Sequence, residues 1–214
     1  MPRDRFAHVK QWVFDLDNTL YPPSMRLFDQ IEARMVRFVM NLLGVTRAEA
    51  DRLRRHYWRE HGTTLAGLMQ EHDMPPERFL KDVHDICFAA LTPDPALRAA
   101  IANLPGRVIV YTNGSAPYAA RVLEGRGLGG LFDAVYGVEH AGFVPKPHEA
   151  AFARVFAADG MRPSRAAMFE DETRNLAVPH ALGMRTVHVA PQAEPAIHVH
   201  HHTDDLTAFL DRIA

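Results

Sequence analysis

The feature that most constrains the fold of this chain is a regular alternation of strand-like and helix-like segments in its second half. From residue 107 onward, short apolar runs alternate with segments of helical periodicity. The predicted strands are Arg107–Tyr111, Ala134–Val138, Ala166–Phe169 and Arg185–Val189. Such alternation is typical of a parallel sheet whose helices make right-handed crossovers. The sequence therefore predicts an α/β fold with a Rossmann-like parallel-sheet core.

One further predicted strand, Gln11–Leu16, is separated from the others by about 70 residues that read as helical throughout. The predicted helices of this stretch are Met25–Gly44, a second from the capping box at Thr46 towards Gly62, Thr64–His72 and Pro76–Phe88. We therefore expect a core of residues 1–20 and 93–214 with an inserted all-helical cap of residues 21–92. Because ligands bind at the carboxyl ends of strands in open α/β sheets, an insertion there is expected to be a lid.

Composition excludes several other classes of protein. A single cysteine, Cys87, can form neither an internal disulfide nor a cysteine-based zinc site, and its apolar neighbours predict a small core residue. The net charge of −2 gives no reason to expect a nucleic acid polymer as partner. No apolar run approaches the ~18–20 residues of a membrane span, and no secretory signal is visible. We expect a cytoplasmic monomer or homodimer without membrane association.

Polar residues follow the predicted strands at the points where the strands end. These residues are Asp15 and Asp17, Thr112-Asn113-Gly114, Lys146, and Glu170-Asp171. Because parallel strands end at one edge of a sheet, four carboxylates, one ammonium and a hydroxyl should converge there. Carboxylates at such density repel one another unless a cation is present, and hard oxygen ligands without cysteine favour Mg²⁺.

The residue types at this edge suggest a division of chemical labour. Of the two carboxylates Asp15 and Asp17, one can attack a substrate while the other transfers protons. Lys146 would neutralise developing negative charge, and Thr112-Asn113-Gly114 precedes a helix start that can hold anionic oxygens. Each motif alone is commonly a turn or a helix cap. Their occurrence together, in order, at the ends of strands in one sheet favours a catalytic site.

These motifs resemble the four ordered motifs of the haloacid dehalogenase-like hydrolase superfamily, and the helical insertion lies where that superfamily carries its first type of cap. The resemblance implies that Asp15 is a nucleophile that forms an aspartyl-phosphate and that Asp17 is the general acid and base. It further implies that Thr112 and Asn113 hold phosphoryl oxygens. Lys146 would orient and neutralise them.

The same resemblance implies a magnesium site. Asp171 would bind Mg²⁺ together with the Asp15 carboxylate and the Asp17 main-chain carbonyl, and Glu170 would act through water. Asn175 stands where many relatives have a further carboxylate, so it is not expected to be a direct ligand. Dehalogenase members typically lack the second aspartate and the metal. The presence of Asp17 therefore favours phosphoryl transfer over carbon–halogen hydrolysis.

Longer strings within the sequence are similar to the pyrimidine 5′-nucleotidase-like subfamily. They are FDLDNTLYPPS at Phe14–Ser24, GTTLAGLM at Gly62–Met69, VHDI at Val83–Ile86 and MFEDETRNL at Met168–Leu176. The implied substrate is a pyrimidine nucleoside 5′-monophosphate such as UMP or CMP. Other small phosphomonoesters, including a sugar phosphate or FMN, a phosphomutase activity, and a catalytically silent binding protein are the alternatives.

Substrate choice is expected to lie with the cap. Candidates to contact a base or ribose are Tyr21, His61, Thr63, Thr64, His84 and Asp85. Each has a plain structural alternative: Thr63 can cap a helix, and Tyr21 can pack at the cap hinge. Arg174 can reach phosphate or lie on the surface.

Histidines are abundant, with 13 in the chain, and four cluster at His198, His200, His201 and His202. A histidine-rich tract can bind zinc. No spaced partner ligands lie nearby, so we expect a polar loop ahead of a terminal helix capped by Thr203.

Overall fold

A parallel sheet of six strands organises residues 2–213, the part of the chain that the computed structural model describes. The strands are β1 (Gln11–Phe14), β2 (Arg107–Tyr111), β3 (Ala134–Tyr136), β4 (Ala166–Glu170), β5 (Arg185–Val189) and β6 (His201–Thr203). Their order is β3-β2-β1-β4-β5-β6, and every neighbouring pair is parallel. The predicted α/β fold with a Rossmann-like sheet is confirmed.

The central strands are apolar on both faces because helices cover both sides of the sheet. In β1, Trp12 and Phe14 belong to one buried apolar cluster, whereas Val13 belongs to the cluster on the opposite face. Phe14 stacks on Phe169 of β4 with ring centroids 4.6 Å apart. This two-sided burial explains why the strands read as continuous apolar runs rather than as an alternating pattern.

Ten α-helices accompany the sheet within residues 2–213. They are α1 (Pro2–Phe6), α2 (Leu27–Leu43), α3 (Arg47–His61), α4 (Thr64–His72), α5 (Pro76–Val83), α6 (Pro95–Ala102), α7 (Ala116–Gly125), α8 (Glu149–Asp159), α9 (Ala177–Ala181) and α10 (Leu206–Ile213). Short 3₁₀ turns occupy Pro23–Met25, Val138–Ala141, Pro163–Arg165 and Thr173–Leu176. The helices α1 and α6 were not predicted from the sequence.

Two predicted helices are shorter in the structure than the sequence pattern suggests. The sequence also predicts a helix over Thr173–Leu182, stopped by Gly183, but the structure has there a 3₁₀ turn followed by the short α9. Pro179 is tolerated because it is the third residue of α9, where a backbone N–H has no partner within the helix. Helix α5 ends at Val83 rather than at Phe88. Cys87 consequently lies beyond the helix and is exposed, so the prediction that it is a core residue is wrong.

The histidine tract is a loop, as the sequence suggested, only in its first part, because His198 and His200 lie outside helices and strands whereas His201 and His202 do not. His201–Thr203 forms the edge strand β6, with His202 in register with His188 of β5. The imidazoles find neighbours there: His202 Nε2 lies 2.8 Å from the carbonyl oxygen of Ala190, and the ring of His201 packs on Phe6. Thr203 is therefore a strand residue. The first turn of α10 is capped instead by Asp205, whose Oδ1 accepts from Ala208 N at 2.9 Å.

Helices α2 to α5 lie between β1 and β2 in the chain, and α2 packs against both α3 and α5. The two connections between this helical segment and the sheet meet at one buried side chain, Arg126, which is 3% exposed. Its guanidinium donates to the carbonyl oxygens of Leu20 at 3.1 Å and of Thr92 at 2.5 Å, and it pairs with Asp94 at 2.6 Å. One cation thus fixes both connections relative to α7.

Among the described residues, no helix combines the length and apolarity that crossing a bilayer requires. Cytoplasmic location, the absence of a nucleic acid partner and a monomeric or homodimeric state stay predictions from the sequence.

Candidate active site

The chemistry-bearing residues lie at the point where the strand order reverses, between β1 and β4. Asp15 and Asp17 follow β1, Glu170 ends β4, and Asp171 follows it. The backbone N–H of Asp15 donates to Phe169 O at 2.9 Å, which ties the two strand ends together. This switch point is where open α/β sheets form a crevice for ligands.

A buried ammonium group bridges the two strand ends. Lys146, 1% exposed, donates from Nζ to Asp15 Oδ1 and to Glu170 Oε2, both at 2.6 Å, and to Tyr111 O at 3.0 Å. Burial alone would lower the pKa of Lys146. The carboxylates of Asp15 and Glu170 outweigh burial and hold this pKa above its ordinary value, so the side chain stays charged.

The loop after β2 orients Lys146 and borders the same space. The side-chain amide of Asn113 donates to Lys146 O at 3.1 Å and accepts from Lys146 N at 2.8 Å. The Thr112 hydroxyl accepts from Gly114 N at 2.9 Å. A Cβ on Gly114 would meet Tyr118 Cδ1 at 3.0 Å, which explains the glycine. The amide of Asn113 therefore positions Lys146, and its contact with a phosphoryl group stays a prediction.

Three carboxylates gather beside this ammonium. Oxygens of Asp15, Glu170 and Asp171 lie within 4.8 Å of one another. Burial, followed by repulsion from Glu170, raises the pKa of both Asp15 and Asp171 well above the ordinary value. One lysine cannot neutralise three such groups, so the donor set fits a hard divalent cation.

Neighbouring side chains hold these carboxylates in place. Asn18 Nδ2 donates to Asp171 Oδ2 and Asn175 Nδ2 donates to Glu170 Oε1, each at 3.1 Å. His188 Nε2 lies 2.9 Å from Asp171 O. Asn175 thus contributes a donor to Glu170, at the place where the resemblance leads one to expect a further carboxylate.

Asp17 lines the same cavity as the other three carboxylates but is not part of their close group, and its side chain has partners of its own. Its Oδ1 accepts hydrogen bonds from the phenols of Tyr21 and Tyr118, each at 2.6 Å. Burial raises the pKa of both tyrosines, which keeps them protonated as donors. Burial also raises the pKa of Asp17, although both phenols oppose this shift.

A cavity of about 480 Å³ joins these residues to the helical segment. Its wall on the sheet side contains Asp15, Asp17, Thr112, Asn113, Gly114, Lys146, Glu170 and Asp171. Its wall on the helical side is largely apolar, with Phe28, Ile31, Met35, Leu65, Phe79, Leu80 and Val83. Polar residues of the helical side are Glu32, Arg54, Arg55, Thr63, Thr64 and His84. A larger, more open groove of about 810 Å³ contains His84 and Tyr118 but none of the clustered carboxylates.

The proposed specificity residues divide into two groups. Thr63, Thr64 and His84 line the cavity, and burial lowers the pKa of His84 to about 4. Thr63 also caps α4, because its hydroxyl accepts from Ala66 N at 3.1 Å. Tyr21 is not among the lining residues and contacts Asp17 instead.

Of the remaining cap candidates, neither His61 nor Asp85 lines this cavity. His61 pairs with Glu71 at 2.9 Å, and Asp85 pairs with Arg34 at 3.0 Å.

Arg174 connects the loop after β4 to the helical segment. Its guanidinium donates to Trp58 O at 2.8 Å and to Gly62 O at 2.9 Å, and it lies 3.7 Å from the centroid of the Trp58 ring. These carbonyls belong to the end of α3, where backbone acceptors lack helical partners. Arg174 therefore donates hydrogen bonds to carbonyl oxygens at the end of α3. The sequence offered a phosphate contact or a surface position as alternatives for Arg174, and neither describes these hydrogen bonds fully.

The histidine-rich edge does not assemble a comparable site. Within residues 2–213, the structure brings together one group of at least three potential metal-ligating side chains. This group consists of Asp15, Glu170 and Asp171 and contains no histidine. The rings of His180 and His200 have centroids 4.8 Å apart, but among the described residues no third potential ligand joins these two histidines to form a metal-binding group.

The Rossmann-like sheet carries clustered carboxylates and a buried lysine at its switch point, the place where α/β enzymes bind their ligands. A sequence profile of haloacid dehalogenase-like hydrolases matches residues 9–183. The chain belongs to this family of hydrolases.

Known relatives agree with this assignment at the level of fold. Phosphate metabolism protein 8 of Saccharomyces cerevisiae is 28% identical over 140 residues, which cover 59% of this chain but only 42% of that protein. CbbY of Rhodobacter sphaeroides, solved with phosphate, has a TM-score of 0.66 at 18% identity, over 95% of this chain and 99% of that one. YfnB of Bacillus subtilis, solved with magnesium, has a TM-score of 0.61 at 16% identity, over 96% and 98%.

Proposed function

We propose that this chain is a Mg²⁺-dependent phosphomonoester hydrolase that works through an aspartyl-phosphate on Asp15. The observation that carries the proposal is the bridge from Lys146 to Asp15 and Glu170, with Asp171 beside it. A buried nucleophile next to a fixed cation suits a reaction that builds negative charge on transferred oxygens. An arrangement with so many buried carboxylates and no catalytic use would only destabilise the fold, which argues against a silent binding protein.

The reaction takes two steps on the residues of this site. A carboxylate oxygen of Asp15 attacks phosphorus, the bond from phosphorus to the leaving oxygen breaks, and Asp17 donates a proton to that oxygen. Asp17 then removes a proton from water, which attacks phosphorus, releases inorganic phosphate and restores Asp15. Lys146 and the Thr112–Gly114 loop hold the phosphoryl oxygens during both steps.

The metal site of this proposal uses residues already close together. Asp15, Asp171 and the main-chain carbonyl of Asp17 would hold Mg²⁺, with Glu170 acting through water. When bound, the ion supplies positive charge that offsets the repulsion between carboxylates and substrate phosphate.

We further propose that residues 21–92 act as a cap over a core of residues 1–20 and 93–214, and that pyrimidine nucleoside 5′-monophosphates are the substrates. The largely apolar wall that α2, α4 and α5 contribute to the cavity supports this choice. A polyhydroxylated sugar leaves hydroxyls without partners on such a wall, whereas a flat base covers it without this cost.

A panel of monophosphates tests the proposed activity. We expect UMP and CMP to release phosphate at least about tenfold faster, in kcat/KM, than glucose 6-phosphate in the presence of Mg²⁺, because unpaired hydroxyls weaken binding by about that factor. Faster turnover of a sugar phosphate would contradict the nucleotide proposal. Turnover that needs a bisphosphate primer and releases little phosphate would indicate a mutase. Undiminished hydrolysis in EDTA would overturn the metal dependence.

Thermal stability should respond to Mg²⁺ more strongly at pH 8 than at pH 5. The folded-state pKa of Asp15 and Asp171 is raised, so the metal-free fold binds more protons than the unfolded chain. Its stability is therefore lost as the pH rises through the raised pKa. Because the ion binds the deprotonated carboxylates, it offsets this loss at high pH but competes with protons at low pH.

Scanning calorimetry in EDTA and in Mg²⁺ measures this difference. At a concentration of about 100 times Kd we expect a Tm increase of roughly 5–10 °C at pH 8. The increase should shrink at pH 5 and disappear in Asp171→Asn. Equal increases at both pH values would contradict a carboxylate site.

A further inference from the structure

We propose that Tyr21 and Tyr118 are positioning residues that hold the Asp17 carboxylate in the orientation that proton transfer to the leaving group requires. The inference rests on the proposed function, because it assigns a purpose to the orientation of the general acid. It concerns two side chains that do not line the catalytic cavity and whose hydroxyls donate to Asp17 rather than to the clustered carboxylates.

The geometry of the contact is specific. Both phenols donate to the same oxygen, Asp17 Oδ1, at 2.6 Å. None of the hydrogen bonds found among the described residues involves Oδ2 of Asp17, and Asp17 is one of the residues that line the cavity. Because two donors fix one carboxylate oxygen from different directions, the side-chain torsions of Asp17 are restricted. The second oxygen is left free to carry the proton.

The two donors come from independent parts of the chain. Tyr21 follows Asp17 by four residues and is 1% exposed, whereas Tyr118 lies in the first turn of α7 and is 2% exposed. A tyrosine present only to fill the core needs a partner for its hydroxyl. Any single partner would meet this need, yet both hydroxyls donate to the same oxygen of Asp17.

The ring of Tyr118 is itself held from the helical segment. His84 stacks on it with ring centroids 4.3 Å apart and an interplanar angle of 9°. His84 Nδ1 lies 3.1 Å from Ser115 Oγ, and Ser115 caps the helix that carries Tyr118. The phenol of Tyr118 therefore has little freedom to turn away from Asp17.

A misoriented acid impairs only substrates whose leaving group needs a proton. The test compares two aryl phosphates of similar shape, phenyl phosphate with a basic leaving group and p-nitrophenyl phosphate with a weakly basic one. The ratio of their kcat/KM values reports the first chemical step. A loss of fold or of binding lowers both values together, whereas a displaced acid lowers only the phenyl phosphate value.

For Tyr118→Phe, which keeps the ring and its stacking, we expect kcat/KM for phenyl phosphate to fall about tenfold, the effect of removing one hydrogen bond to a charged group. The value for p-nitrophenyl phosphate should change less than about twofold. Tyr21→Phe should behave alike, and the double variant should approach Asp17→Asn. Tyr136→Phe is the matched control, because its hydroxyl donates to Asp159 at 3.1 Å, outside the catalytic cavity.

Equal losses on both substrates, or no loss on either, would overturn the inference while leaving the hydrolase proposal intact. A wild-type protein that releases phosphate from none of UMP, CMP and the two aryl phosphates in Mg²⁺ would overturn both. A Tyr136→Phe variant with the same altered ratio would show that the effect is not specific to the contacts with Asp17, and would also reject the inference.

Discussion

Replacing Asp15 by asparagine should lower the rate of phosphate release by at least about four orders of magnitude, as expected when a covalent nucleophile is lost. The side chain is buried and lies 2.6 Å from the Lys146 ammonium, and an amide of the same shape is a poor nucleophile. No neighbouring carboxylate is placed to substitute for it. Asp17 is held by two phenols, and Glu170 is bound to Lys146 and Asn175.

Initial rates with UMP and with p-nitrophenyl phosphate, at saturating Mg²⁺, measure this loss. Asp29→Asn serves as the matched control, because Asp29 is an exposed carboxylate on α2 that pairs with Arg26 at 2.8 Å. We expect its rate to stay within about twofold of wild type, since surface substitutions seldom have larger effects. An Asp15→Asn protein that retains more than a few per cent of the wild-type rate would reject the covalent mechanism.

The positions of most strands could be predicted because they depend on local apolar runs, whereas their order in the sheet was not predicted. Strands β1, β2 and β4 are buried on both faces, so each leaves a largely apolar signature that survives without knowledge of its neighbours. Strand β5 is also buried but includes Thr186 and His188. Strand β6 lies at the edge of the sheet and carries half-buried histidines. Its pairing with β5 is a tertiary contact that the composition of the segment does not reveal.

The meeting of the site residues at one edge of the sheet could be predicted because the strands themselves could be predicted. Once the strands are parallel, residues at their carboxyl ends must share one edge, which places Asp15, Lys146 and Glu170 together. The direction of a side chain beyond that edge could not be predicted. The turn after β1 brings Asp17 Oδ1 within hydrogen-bond distance of Tyr21 and Tyr118, contacts that the position of Asp17 in the sequence does not reveal.

The residues that the sequence analysis missed share this limitation. Tyr118 occupies the first turn of a correctly anticipated helix, but its contact with Asp17 spans 101 residues of chain. Arg126 likewise binds backbone carbonyls of distant segments, and so does Arg174, which the sequence indicated as a candidate without revealing these partners. Long-range contacts with backbone atoms leave no spacing or charge pattern in the sequence. The only sign of such a contact in the sequence is an arginine or tyrosine near a motif, and this sign does not identify the residue that is contacted.

Lys146→Met should both inactivate the enzyme and destabilise the metal-free fold by about 3–5 kcal/mol, the cost of breaking a buried ion pair by removing one partner. Methionine fills a similar volume, so the loss reflects charge more than packing. For a chain of this size we expect a Tm decrease of roughly 10 °C at neutral pH. Thermal unfolding in EDTA measures it, with Lys10→Met, at an exposed lysine, as the matched control.

The pH dependence separates this electrostatic explanation from a packing defect. Lys146 lowers the pKa of Asp15, so its removal lets burial and Glu170 raise that pKa further. An acid with a raised folded-state pKa is most favourable to folding below its ordinary pKa, and this stability is lost as the pH rises through the raised value. The deficit of Lys146→Met should therefore shrink towards pH 5, where Asp15 accepts a proton. It should also shrink at neutral pH when Mg²⁺ replaces the missing positive charge. A deficit that is constant from pH 5 to pH 8 and indifferent to Mg²⁺ would instead identify Lys146 as a packing residue.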